Sequence, residues 1–437
     1  MSSAVIDAIS DFLRRNPATS TDIASFCGCD RSTVTRQLTS LKAKLVTTGR
    51  ARSTRYYLRR GIGSETALYR VSVEGNAEHF ATMVTVMPHG YLVKRLNDAD
   101  YLYYDDLPWW LQDLRPQGFL GRNLAKSLFK NQIVSSADID HWDDLDVFRA
   151  LLHTKGDAPG NLLIGELSYQ QWLQHELTAV SKVDFVALAM EAMAGEVVAS
   201  SAGGEQPKFC AFVEGKHRLV KFTEPAINAN SQRWADLLQA EHLALHTLAH
   251  YGVAATHSVI VMQQQRTFLS CERFDRVAEL GRKGLVSLRM LEIEFVGKPA
   301  EWPVITKHLL QHKLISAEDA ETIAVIWCFG RLIANTDMHT GNLSFYYAGE
   351  GALTLAPVYD MLPMAFAPLR SGAMALSHAL TITPVALGKH WRQAYGMAEQ
   401  FWAELLTIAD ISLEFKDIAK TMQLELQAKK HLIERMA

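Results

Sequence analysis

Long apolar runs are missing from this chain of 437 residues. The longest near its most polar motif, Ile323–Ile333, is broken by Arg331 and is too short to span a bilayer. The N-terminus, MSSAVIDAISDFLRR, lacks the basic-then-apolar form of a secretion signal. Cysteine is sparse: Cys27, Cys29, Cys210, Cys271 and Cys328 are scattered, with one C-x-C and no matching second pair. Such usage builds neither a disulfide framework nor a zinc knuckle, and free thiols point to a reducing cytoplasm. No membrane partner is expected.

What is present is an ordinary globular composition, 48% hydrophobic and 21% charged, on a chain long enough for two or three domains. The net charge of −3 hides an asymmetry: residues 1–60 carry eleven Lys/Arg against four Asp, so the head is +7 and the remainder −10. A basic head on an acidic body points to a polyanion-binding module fused to something else.

Within that head, Ala4–Arg15 reads as a helix stopped by Asn16-Pro17, and Ser20–Phe26 as a second helix ended by Cys27-Gly28. Asp30 then caps a third, Arg31–Leu45, with Val34, Leu38, Leu41 and Leu45 at helical spacing. Its outer face carries Arg31, Ser32, Thr33, Thr35, Arg36 and Gln37, side chains that reach base edges and phosphates. Val46–Thr48 and Thr54–Leu58 flank a tip holding Arg50 and Arg52. Helix, short helix, recognition helix and basic wing resemble a winged helix-turn-helix, with DNA the expected partner of residues 1–60. A small helical interaction domain with a solvated basic face is the alternative.

Gly61–Thr66 reads as a linker, followed by strands at Ala67–Val73 and Phe80–Val86 and helices near 109–114, 120–131, 143–153 and 169–177. The tryptophans of YYDDLPWWLQDLRPQGFLGR read as packing residues.

The chemistry concentrates in ANTDMHTGNLSFYYAGEGALTLAPVYD, residues 334–360. Asp337 and Asn342 lie five positions apart after a capped apolar helix, Ala317–Ala334. Strands at Leu343–Tyr347 and Ala352–Leu355 form a hairpin that returns Asp360 beside them. A carboxylate to take a hydroxyl proton, and an amide oxygen with a second carboxylate to hold Mg²⁺ over nucleotide phosphates, are what phosphoryl transfer requires. His339 is placed to orient the loop or the phosphate, or to make a structural hydrogen bond.

Upstream, a strand at Val197–Ser200 enters SAGGEQPKF, where Gly203 and Gly204 let backbone N–H groups approach phosphate and Lys208 supplies a charge, although the sequence is not a Walker A loop. Lys221 lies inside an apolar strand, where a buried ammonium needs an acid or a phosphate. Glu241, on the helix Ser231–Tyr251, is the candidate acid.

Three motifs, SAGGEQPK (201–208), ERFDR (272–276) and NTDMHTGN…LAPVYD (335–360), closely resemble the HipA-type kinases, toxin halves of bacterial toxin–antitoxin pairs. The resemblance covers roughly residues 65–437. H-R-D and D-F-G are absent, which separates the chain from ordinary protein kinases. The resemblance implies an α+β, two-lobed protein-kinase-like fold with an α-helical C-terminal lobe, here behind an N-terminal winged helix-turn-helix. It implies domains at 1–60, 65–195 (HipA N-terminal subdomain-like), 196–275 (nucleotide-binding lobe) and 276–437 (catalytic lobe). It implies ATP and Mg²⁺ as cofactors: Asp337 as catalytic base with His339, Asn342 and Asp360 on the metal, Ser201, Ala202, Gly203, Gly204, Lys208 and Lys221 on the phosphates, and Glu241 in the nucleotide site as the acid partner of Lys221. Glu272, Arg273 and Phe274 would meet adenine at the hinge, and Ser201 would be an autophosphorylation site.

The function so implied is a Ser/Thr protein kinase toxin acting on itself and on a protein target such as an aminoacyl-tRNA synthetase, with a HipB-like antitoxin as partner. A basic head of the chain's own leaves open whether DNA binding needs that antitoxin. Two alternatives stand: a DNA-binding regulator with a nucleotide-sensing, kinase-like body, and a small-molecule kinase.

Overall fold

A computed structural model describes residues 2–61, 65–154, 158–174, 176–194, 206–369 and 371–436. At the N-terminal end, α1 (Ser2–Arg15), α2 (Ser20–Cys27) and α3 (Arg31–Ser40) precede a hairpin of β1 (Leu45–Thr48) and β2 (Arg55–Leu58), with Ala18–Thr19 on the free edge of β2. A capping box starts α2: the Thr19 hydroxyl accepts from Asp22 N–H at 3.3 Å, and the Asp22 carboxylate accepts from Thr19 N–H at 3.0 Å. Ile9, Leu13, Ile23, Val34 and Leu38 close a small core between the helices. The third helix is shorter than its periodicity predicts. It ends at Ser40, a 3₁₀ turn spans Lys42–Lys44, and Leu45 instead pairs with Leu58 in the hairpin.

Next comes a five-stranded sheet of β3 (Thr66–Val71), β4 (Ala77–Thr85), β5 (Tyr91–Arg95), β6 (Leu102–Tyr104) and β7 (Leu162–Ile164), in the order β6-β5-β4-β3-β7. Helices α4 (Gly118–Lys130), α5 (Asp144–Leu152) and α6 (Gly165–Leu173) accompany it. Strands β5 and β6 are additions to the sequence reading, whereas GDAPGNLLIG, residues 156–165, reads as a turn entering a strand and β7 is that strand. β5 escapes a period-two search because Tyr91, Leu92 and Val93 are all buried. Tyr91 and Val93 face the sheet's own core, while Leu92 joins Val84 and Val86 against Val46 and Tyr57 of the hairpin.

That shared cluster packs the hairpin against the middle sheet on either side of the stretch read as a linker. Met87 N–H donates to Leu58 C=O at 2.8 Å and Arg60 N–H to Thr85 C=O at 2.9 Å, carrying the β2 strand alongside β4. The Asp100 carboxylate accepts from Gly49 N–H at the hairpin tip.

A second five-stranded sheet contains β8 (Ala179–Val180), β9 (Lys208–Val213), β10 (Lys216–Phe222), β11 (Ser258–Gln263) and β12 (Arg266–Glu272), in the order β11-β12-β10-β9-β8. One face packs under α7 (Phe185–Ala194) through Phe185, Phe209, Val220, Phe222 and Phe268. The long helix α8 (Ala229–His250) covers the other. Beyond β12, the short strand β13 (Leu285–Ser287) pairs with the hairpin β14 (Ser344–Tyr346) and β15 (Thr354–Leu355). Around it gather α9 (Trp302–Gln311), α10 (Ala317–Leu332), α11 (Gly388–Leu405) and α12 (Leu413–Arg435). The tail's pattern predicts two helices, at Leu413–Asp417 and Ile418–Met436, but they run on as one, α12. The largest core joins α8, α10, α11 and α12 through Leu238, Phe329, Trp402 and Phe415. Trp109 packs on Phe295 and Tyr347, with ring centroids 5.6 and 5.3 Å away, joining the middle sheet to this lobe.

Candidate active site

Strand alternation places the first two groups. On β10, Val220 and Phe222 point into the aromatic cluster under α7, so Lys221 points the other way, toward α8. The antiparallel register sets Lys208 of β9 opposite Lys221. The Asn228 amide oxygen caps α8 at Ser231 N–H (2.9 Å), and the helix carries Glu241, 1% exposed, to the ammonium. Lys221 Nζ donates to Glu241 Oε1 at 2.6 Å and Oε2 at 2.8 Å, and also pairs with Asp360 Oδ1.

Burial opposes the charged form of each member of this group. For Lys221 the two carboxylates win, and its ammonium is held above the ordinary lysine range. For Asp360, burial is outweighed by Lys221 and then Lys208, and the carboxyl is drawn down to about 2. For Glu241, burial prevails over Lys221, with Asp360 adding repulsion, and its carboxyl lies above its usual value.

The 334–360 stretch folds as its pattern predicts. Ser316 Oγ caps α10 by accepting from Asp319 N–H at 2.9 Å, and buried Ile326, Phe329 and Leu332 root the helix in the core. The loop after it is tied by side chains. Asp337 N–H donates to Asn335 Oδ1 at 3.0 Å, Asn342 Nδ2 to Asp337 C=O at 2.8 Å, and Asn342 N–H to His339 C=O at 3.0 Å. His339 Nδ1 accepts from Gly341 N–H at 3.1 Å. The hairpin pairs Phe345 with Leu355 and Tyr346 with Thr354, then delivers Asp360 with φ 52°, a left-handed backbone that an aspartate adopts only where its surroundings impose it. Asp337 is exposed, Asn342 half-buried, and Asp360 partly open to the cleft.

One cleft, about 2330 Å³, collects Lys208, Lys221, Glu241, Asp337, His339, Asn342 and Asp360. Ser201, Ala202, Gly203 and Gly204, with the strand expected at Val197–Ser200, lie outside the described residues. The chain re-enters the cleft at Gln206 and Pro207. Glu272, Arg273 and Phe274 are not among the cleft's lining residues. Glu272 N–H donates to His257 C=O at 2.8 Å and Arg273 N–H to His217 C=O at 2.9 Å, while Phe274 C=O accepts from the Tyr346 hydroxyl at 3.2 Å. Those backbone groups are taken up by the fold.

The donor chemistry suits Mg²⁺. Asn342 spends its Nδ2 within the loop, which leaves Oδ1, and with the Asp360 carboxylate this makes a hard-oxygen pair. Mg²⁺ takes one or two such protein ligands and completes its shell with phosphate and water. Among the described residues there is no cluster of three His, Cys, Asp or Glu that would cage an ion by itself.

Three residues that motif reading passed over organise the site. Asn335 anchors the Asp337 turn and Tyr359 sits between the two loops. Asp275, 4% exposed, accepts from Arg273 Nε and Nη2 at 3.1 and 2.9 Å, from Arg276 Nη1 at 2.5 Å and from Gly160 N–H of the middle region at 2.9 Å. The only signal for it was an acid lying between two arginines.

In the N-terminal region Ser32, Arg36, Arg50 and Arg52 are exposed. Arg31 Nε donates to Ser20 Oγ at 3.0 Å, the Thr33 hydroxyl to Asp30 at 3.3 Å and the Thr35 hydroxyl to Arg31 C=O at 2.9 Å, so these three are partly engaged within the chain. No helix of the described residues is long and apolar enough to cross a membrane.

Known proteins resemble this chain in sequence and in fold. A family model for the HipA-like C-terminal domain matches residues 200–436, and one for the middle domain of YjjJ-like toxins matches residues 62–173. Toxin YjjJ of Escherichia coli strain K12 is 38% identical over 446 residues, spanning 98% of this chain and 99% of that protein. HipA of Shewanella oneidensis MR-1, solved as a complex with HipB and operator DNA, superposes with a TM-score of 0.60 over 84% of this chain and 98% of its own, at 15% identity. That likeness shows the HipA fold. With a HipA-like domain over more than half its length and a toxin homologue alongside nearly all of it, this chain belongs to the HipA-like toxin family.

Proposed function

We propose that this HipA-like toxin is an ATP- and Mg²⁺-dependent serine/threonine protein kinase that phosphorylates a protein target and itself. The observation that carries the reading is one cleft in which two opposed lysines, a buried glutamate and the Asp337, Asn342 and Asp360 loops converge. ATP and Mg²⁺, when bound, supply the transferable phosphoryl group and neutralise its charge.

Lys208 and Lys221 hold the phosphates, and Glu241 keeps Lys221 charged and aimed. Asn342 Oδ1 and the Asp360 carboxylate face the metal, and a carboxyl drawn down to about 2 stays ionised throughout the working pH range. Asp337, exposed at the end of its tethered turn, accepts the proton of the attacking hydroxyl. His339 orients the loop through Gly341. Ser201 is the proposed autophosphorylation site, and an aminoacyl-tRNA synthetase exemplifies the class of target. Residues 1–60 form the proposed winged helix-turn-helix DNA-binding domain, ahead of domains at 65–195, 196–275 and 276–437. A HipB-like antitoxin is a proposed partner and the cytoplasm the proposed location.

The test is transfer from labelled ATP by wild type and Asp337→Ala, with the labelled residue mapped. Label on Ser201 in wild type and none in the variant is expected. Silence from both, with ATP still bound, would overturn the kinase reading in favour of a nucleotide-sensing regulator.

A further inference from the structure

We infer that Tyr359 is the positioning residue that sets the separation of the two metal-ligand side chains, Asn342 and Asp360, an assignment that rests on the kinase reading above. Asn342 and Asp360 reach the cleft on different loops, on either side of the β14–β15 hairpin. The bond from Asn342 Nδ2 to Asp337 C=O lies within one loop and fixes nothing between the two.

The tie across them is the phenol of Tyr359. Its hydroxyl donates to Gly341 C=O at 2.9 Å, one residue from Asn342, while its backbone leads directly into Asp360. A phenol has a single proton to give, so the Ser344 hydroxyl, 2.8 Å away, is the donor in the second bond and grips the same oxygen from β14. The ring lies against Phe274 at the lobe junction, with centroids 5.7 Å apart and planes inclined by 33°.

Other ties between the two segments lie farther along the chain from the ligand pair or are longer: Ala365 N–H donates to Ala334 C=O at 3.0 Å, and Asn335 Nδ2 approaches Asp360 C=O at 3.5 Å. Mg²⁺ tolerates little error in ligand placement, at about 2.0–2.1 Å in near-octahedral geometry, so a tie that fixes both ligand-bearing backbones governs metal affinity.

Tyr359→Phe removes the hydroxyl and keeps the ring on Phe274. The full chain would be titrated with Mn²⁺ by electron paramagnetic resonance, with a non-hydrolysable ATP analogue present. Analogue binding without metal and the unfolding temperature would be measured beside it. The expected result is a rise of about 10–100-fold in the half-saturating Mn²⁺ concentration, with metal-free analogue binding unchanged.

Unchanged Mn²⁺ affinity in Tyr359→Phe, beside a wild type that binds, would overturn the inference and leave the kinase reading intact. So would a loss matched by an equal loss of metal-free binding, which marks a general packing defect. A wild type that takes up no Mn²⁺ with nucleotide would overturn both. Should Tyr359→Phe fail to fold, Ser344→Ala loosens the same hydroxyl from the other side. A smaller rise in half-saturating Mn²⁺ is then expected, and no rise overturns the inference.

Discussion

Lys208 stands directly opposite Lys221 across the β9–β10 pair, and the two ammoniums together hold the Asp360 carboxyl at about 2. Like charges set opposite each other on paired strands repel. Here two carboxylates, and in the proposed reaction the phosphates, lie within reach of both.

The two lysines should respond differently to loss. Lys208 is half-buried, and Lys208→Met should weaken ATP binding about 10–100-fold, the worth of a charged hydrogen bond, while the unfolding temperature shifts by little. Lys221→Met strands the buried Glu241 carboxylate and should lower unfolding stability by about 3–5 kcal/mol. Adding Glu241→Met should recover much of that stability without restoring transfer. Denaturant melts and nucleotide titrations of the three variants check this.

Removing the proposed base should cost rate alone. Asp337 is exposed, so Asp337→Asn should change stability by less than about 0.5 kcal/mol and leave ATP affinity intact. Phosphoryl transfer should fall by about 10²–10⁴-fold, as expected when a general base is lost. Single-turnover rates beside a binding isotherm separate the two effects.

Acid should loosen the Asp275 cluster. Burial opposes the Asp275 charge, but Arg273 and Arg276 hold its carboxyl far below the ordinary 3.8. A carboxyl depressed on folding adds stability that is fully present above its unfolded value and is lost as pH falls below it. Asp360 follows the same sign, between about 4 and 2. Asp275→Asn takes a buried carboxylate away from the guanidinium of Arg276, 3% exposed, and should lose about 3–5 kcal/mol at pH 7. Its deficit against wild type should shrink as pH drops below about 4, where the Asp275 carboxyl of the unfolded wild-type chain takes up a proton while the folded one stays ionised. Urea melts at pH 7, 4 and 3 would show this convergence.

DNA affinity should be salt-dependent if residues 1–60 bind phosphate. Arg36→Ala and Arg52→Ala should each lower the slope of log affinity against log salt by about 1 and leave folding unaffected. Arg31→Ala should also reduce stability, because its Nε braces Ser20 at the start of α2. A slope near zero for wild type would remove the DNA-binding proposal.

Much of the site was legible because it is local. Asp337, Asn342 and Asp360 lie on one helix–loop–hairpin segment whose turns and caps are written in neighbouring residues. The hairpin brought Asp360 back by short-range pairing alone. Lys221 announced itself as a lysine among apolar strand neighbours, and its pairing with Glu241 answers the need that burial creates. Helix lengths were read less well where a neighbour competes for the residue, as when Leu45 leaves α3 for Leu58.

The sequence by itself determined the order of most elements, the basic head, and the residue types gathered in the 334–360 loop, because each rests on periodicity or on contacts a few residues apart. Only the tertiary structure decided what joins distant segments: Gly160 on Asp275, 115 positions apart, and Gly49 on Asp100, 51 apart. It alone also set the Tyr359 hydroxyl on Gly341 and both lysines on one sheet face. Those contacts form because burying apolar surface brings the segments together, and polar groups enclosed with it must then find partners. Neither requirement leaves a mark at fixed spacing in the chain.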